Sequence, residues 1–140
     1  MGWTNLGTLE SLSRRHLADL AAGLASSGVS ASNKVDAIKK CVEFVLADTK
    51  GLGHGRARAL MCRRLKHCEL TPEQRQQLVH CITDRLATGR FSEQFRDQLR
   101  LAIHLDRKRT FEVAHQSLTA KKEYVRRLAT WVVNHEEQLA

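Results

Sequence analysis

A chain of 140 residues, 42% hydrophobic and carrying a net charge of +8, can bury a core without disulfide staples and is too apolar to be a disordered polyelectrolyte. A single proline and sparse β-branched residues favour helices over strands. No apolar run approaches the ~20 residues needed to cross a bilayer, and four cysteines with no C-x-x-C pair fit a reducing compartment, so a soluble intracellular protein, cytoplasmic or nuclear, is expected.

Residues 1–7 are expected to be frayed. Thr8 is placed to cap a first helix with Leu9, Leu12, Leu20 and Leu24 inward. Two arginines precede its small-residue stretch, as in a targeting signal, but Asp19 inside and Glu10 before it make an ordinary helix the better reading. After a serine-rich loop, Ser32 or Asn33 caps a second helix with Val35, Ile38, Cys41, Val42, Val45 and Leu46 on one face, and Gly51 is its expected terminator. A third helix runs from about Gly55 to Cys68. Ala57, Leu60, Met61, Leu65 and Cys68 share one side; Arg56, Arg63, Arg64, Lys66 and His67 share the other, with Arg58 near the border.

The clearest helix start is at Thr71, with Pro72 at the first helical position and Gln74 completing a capping box; Leu78, Val79, Ile82 and Leu86 face inward and Gly89 ends it. Ser92 caps a fifth helix through Phe95, Leu99, Ala102 and Ile103. Asp106 starts a sixth with Phe111, Ala114 and Leu118 inward, and periodicity leaves open whether the two are continuous. Thr119 caps the last, with Tyr124, Leu128, Trp131 and Val132 inward. The expected fold is all-α: one compact domain, 1–140, of six or seven amphipathic helices, arranged as an irregular bundle or a short solenoid-like array.

The charge is unevenly spread. Residues 1–48 carry five basic and five acidic side chains, and residues 69–140 carry twelve and ten. Between them, residues 49–68 hold Lys50, Arg56, Arg58, Arg63, Arg64 and Lys66 and no acid. Later helices show compensating spacings, such as Glu93 with Arg96 and Glu123 with Arg127. Lesser basic clusters lie at 107–109 and at Lys121, Lys122, Arg126 and Arg127.

The acid-free segment opens with KGLGHGRARAL, residues 50–60. Gly51-Leu52-Gly53 followed by Ala57 and Leu60 resembles the hairpin of helix-hairpin-helix DNA-binding motifs over residues 44–60. The resemblance implies that Leu52 plugs the core, that Gly51 and Gly53 offer backbone to a phosphate, and that Ala57 and Leu60 pack the helices together. An anion would then sit at the N-terminus of the third helix, with Lys50, Arg56 and Arg58 adding salt-sensitive attraction. The bland alternative is a helix stop followed by a plain turn.

Other chemistry is thin. Phe44, Phe95, Phe111, Tyr124 and Trp131 fall on apolar stripes, and Trp3 lies near the terminus, so stacking platforms for single strands are scarce. Cys62, His67, Cys68, His80 and Cys81 match no zinc spacing and are expected to be buried thiols and surface histidines, so no metal and no cofactor is expected. There is no Walker pattern, no GxSxG and no HExxH. His54 is a lone acid–base group without an evident partner. The expectation is a non-catalytic interaction module. Its working residues are Lys50, Gly51, Gly53, His54, Gly55, Arg56, Arg58, Arg63, Arg64 and Lys66. Its partner is an acidic protein surface first and a nucleic-acid backbone second, with no membrane.

Overall fold

The computed structural model describes residues 9–25, 31–92 and 94–138. The expectations for the first seven residues, for Thr8 as a cap and for the Glu93–Arg96 pair lie outside the described residues. Among those described, the chain is entirely helical: α1 (Arg14–Ala25), α2 (Ala31–Ala47), α3 (His54–Leu65), α4 (Pro72–Thr88), α5 (Arg96–Leu105), α6 (Arg107–Ser117) and α7 (Glu123–Gln138).

Several helices two apart in sequence lie side by side. α1 packs on α3 and α3 on α5, while α2 packs on α4 and α4 on α6; α7 closes the second row against α4 and α6. Consecutive helices pack as well, α1 on α2 and α5 on both α4 and α6, so the expected compact all-α domain forms. The core runs between the rows, from Leu17 and Ala21 through Phe44, Met61 and Leu65 to Ile82, Leu99 and Val132. Leu65, fully buried, stands for many such positions, each worth ~2–5 kcal/mol against alanine.

Several ends follow the local chemistry. Thr71 accepts from Gln74 N and the Gln74 side chain from Thr71 N, with Pro72 opening α4. Gly89 ends that helix at φ 77°, a conformation that strains any side chain. Asp106 accepts from Arg109 N to cap α6, and its extended backbone (φ −151°) separates α5 from α6.

Other ends differ from expectation. The first helix breaks at residues 11–13 and restarts at Arg14, where the Ser13 hydroxyl accepts from His16 N. That shift buries Leu17, which the threes-and-fours count starting from Leu9 passed over. α2 begins at Ala31, ahead of Ser32 and Asn33, and is stopped by Asp48 in the left-handed region (φ 53°), not by Gly51. α5 starts at Arg96 with no side-chain cap, so Ser92 is free for other contacts, and α7 starts at Glu123 instead of following Thr119. Val35 (67% exposed) and Tyr124 (43%) face outward, while Val125 and Ala129 fill the buried stripe of α7.

Candidate interaction surface

The basic segment splits in two. Two of its side chains turn inward. His54 and Arg58, both expected at a working surface, are 1% and 2% exposed. The Arg58 guanidinium donates through Nη2 to the Thr49 carbonyl and to Thr49 Oγ1. Its Nη1 stands 4.0 Å from Asp48 Oδ1, and the Phe44 ring lies 5.5 Å below. Burial pulls the guanidinium below its ordinary value, with Asp48 opposing the shift. Its Nε has no hydrogen-bond partner.

Thr49 passes the chain of bonds to His54. The Leu12 carbonyl, 2.9 Å from His54 Nε2, can only accept, so Nε2 carries the ring proton. The Thr49 hydroxyl, already accepting from Arg58, therefore donates to Nδ1. The relay ties the start of α1 to the α2–α3 turn. Glu10 adds a second tie, accepting from Lys50 N at 2.7 Å.

This relay explains the glycines better than a phosphate cradle does. A Cβ on Gly51 would lie 2.5 Å from His54 Nε2, and Gly53 has φ 78° with the Arg14 side chain against it. A Cβ on Gly55 would meet nothing closer than 3.7 Å. Leu52 is 77% exposed and plugs nothing. The hairpin resemblance fails at its central residue: the ring of His54 occupies the inside of the turn, so Leu52 is turned out.

The basic segment's other basic side chains are exposed or half-buried. Acid-free in sequence, the segment is not acid-free in space. Arg63 meets Asp97 of α5 at 2.8 Å, and Lys50 meets Asp48 at 3.3 Å. Arg56, Arg64 and Lys66 have no carboxylate within 4.0 Å among the described residues. Among the described residues α3 has no side-chain cap and no acid in its first turn; His54 N bonds the Gly51 carbonyl, and the dipole there favours an anion.

At that end a cleft of about 640 Å³ opens between α1, α3 and the segment before α5. Leu17, Ala18, Ala57 and Leu60 line it, Leu52 stands at its mouth, and Arg14 and Arg56 flank it. The structure thus brings Gly53, Gly55 and Arg56 together in one cleft, keeps His54 and Arg58 out of its lining, buried against Thr49 and Phe44, and pairs Arg63 with Asp97 of α5. Arg14 and Leu17 were not singled out by sequence reasoning. Their only signal was Arg14-Arg15 ahead of an apolar stripe, which marks a helix start as readily as a site.

Other basic residues bind backbone carbonyls. Lys122 Nζ donates to the Thr88 carbonyl at the end of α4, and Arg126 to the carbonyls of Ala120 and Lys121. The first bond accounts for one of the two lysines, Lys121 and Lys122, that precede α7 against its dipole. Arg85 binds the carbonyls of Val45 and Leu46 at the end of α2. Burial pushes the thiols of Cys41 and Cys62 up to about 12, far from the range of a nucleophile at neutral pH. His67 and His80 are exposed.

The chain matches no protein-family model, no curated protein and no solved structure.

Proposed function

We propose that the chain is a non-catalytic helical interaction module that binds an acidic protein segment through its basic surface, centred on the cleft beside Arg14 and Arg56. The observation that carries the reading is the pairing of an apolar lining with two arginines at an uncapped helix N-terminus. An acidic amphipathic segment matches both parts: apolar side chains enter the lining, and a carboxylate meets the guanidiniums and the end of α3. Leu52 offers an apolar anchor of the kind that protein partners use and phosphate backbones do not.

The second reading, sequence-tolerant binding of nucleic-acid backbone, draws on the same arginines and the same helix end. The two separate experimentally. A labelled helical peptide with leucines on one face and glutamates on the other, and a short DNA duplex, are titrated by fluorescence anisotropy at 50 and 200 mM salt. The peptide is expected to bind, and to be weakened at least fivefold by Leu52→Ser and by the Arg14→Glu, Arg56→Glu pair. If DNA alone binds, with a steep log-linear loss in salt and no effect of Leu52→Ser, the nucleic-acid reading replaces the first. If the folded charge-reversed variant keeps every affinity, both are wrong.

A further inference from the structure

A second basic groove lies away from this cleft, where α3 ends and α5, α6 and α7 meet. Lys66, Arg100, Ile103, His104, Arg107 and His135 line its volume of about 380 Å³. Among the described residues no carboxylate lines it. Two acids on the same helices are engaged: Asp97 takes Arg63 on Oδ2 and Arg100 on Oδ1, and Glu136 takes His115 at 2.9 Å. One carboxylate shared by two guanidiniums leaves positive charge over, and Lys66 and Arg107 have no acid within 4.0 Å among the described residues.

Beside the Asp97 pair of Arg100, neutral contacts hold the groups of the groove. The Arg100 guanidinium lies over the Trp131 ring at 5.1 Å, with Arg96 over the same ring at 5.4 Å. Arg107 donates to the Glu136 carbonyl at 3.3 Å. His135 donates through Nδ1 to the Trp131 carbonyl at 2.7 Å, which leaves Nε2 uncommitted. Lys66 at the end of α3, Arg100 of α5 and Arg107 of α6 thus bring more positive charge to the groove than Asp97 balances, and a compact anion relieves their repulsion.

We infer that this groove binds a small ligand carrying several phosphates. Guanidinium forks match phosphate oxygens in pairs, and lysine adds a point charge. The volume falls within the range of small-molecule sites, and a chain of phosphates carries more charge in that space than one carboxylate or sulfate. The site is separate from the peptide cleft and does not depend on it.

Isothermal titration calorimetry of the full chain with inorganic triphosphate, at pH 7.5 and 50 mM NaCl, tests the inference. One saturable site is expected, with sulfate at least tenfold weaker. Lys66→Gln and Arg107→Gln each weaken triphosphate at least fivefold, and the pair more, with thermal midpoints showing that the variants stay folded. Lys108→Gln removes the same charge one residue from Arg107 but outside the groove, and leaves binding unchanged. Arg56→Gln leaves it unchanged as well, so failure here and failure of the peptide cleft are distinguishable. No saturation, equal affinity for sulfate, or an equal loss with Lys108→Gln overturns the assignment.

Discussion

Arg58 and Arg63 stand five residues apart on one helix, within one run of uncompensated charge, and have opposite fates. Arg58 is buried under the α2–α3 turn and bonded to Thr49; Arg63 is 54% exposed and paired with Asp97. Five residues advance a helix by about 140°, so the two side chains leave on different faces. The inner one serves the fold: it bonds a carbonyl that the turn would otherwise leave unmatched in the interior. The outer one belongs to a surface field. Linear charge density, which made the segment conspicuous, does not distinguish the two roles; position on the helix and reach toward a backbone carbonyl do.

The comparison breaks most sharply on removal of each arginine. Arg58→Ala is expected to cost ~3 kcal/mol, because it strips the Thr49 carbonyl of a donor, opens a void beside Phe44 and undoes the relay to His54. Arg63→Ala is expected to cost less than ~1 kcal/mol, as exposed pairs do. Urea denaturation of both reads the difference directly. Equal costs would mean that the inward bonds carry no more stability than a surface pair.

The three glycines give the next largest effect. Gly51→Ala puts a Cβ 2.5 Å from the His54 ring, and the ring, held at both nitrogens, cannot yield; ~2 kcal/mol is expected. Gly53→Ala strains a residue at φ 78°, for ~1–2 kcal/mol. Gly55→Ala meets ordinary contact distances and lies in the first turn of α3, so it is expected to be neutral or to stabilise by up to ~1 kcal/mol. Thermal melts of the three rank them. A Gly55 variant as damaging as the Gly51 variant would return the loop to a backbone cradle in which every glycine is needed.

The helices were readable because local signals specify them. The Thr71 capping box, Gly89, Asp106 and the stripes through Leu78, Ile82, Leu99 and Phe111 all lie where one turn of helix contains the whole cause. The candidate site was less readable, because it is made by side chains distant in sequence. Leu52 was assigned inward from a pattern of glycines, yet the inside of the turn belongs to His54, held by Leu12 forty-two residues earlier. Arg14 reaches Gly53 from α1, and Asp97 neutralises Arg63 from α5. None of these leaves a periodic trace. The basic groove at Lys66 is an extreme case, since its other five lining residues lie in a stretch of sequence whose charge nearly balances. Balance along the chain says nothing about which sign a given face collects.

Asp97 sharpens this last point with the smallest expected change in stability. It is the one carboxylate between Arg63 and Arg100 among the described residues, at 2.8 and 3.2 Å. Asp97→Asn keeps the shape of the side chain, removes a partly buried negative charge and frees both guanidiniums. Because both arginines are about half exposed, the cost to stability is expected to stay within ~1 kcal/mol. The effect on the field is larger in kind: the row formed by α3 and α5 gains a full positive charge where Arg100 lines the groove. Triphosphate binding is therefore expected to strengthen about threefold at 50 mM salt and less at 200 mM, where screening shortens the reach of the charge. A weaker affinity would show that Asp97 positions Arg100 for the ligand, and that orientation outweighs charge at this face.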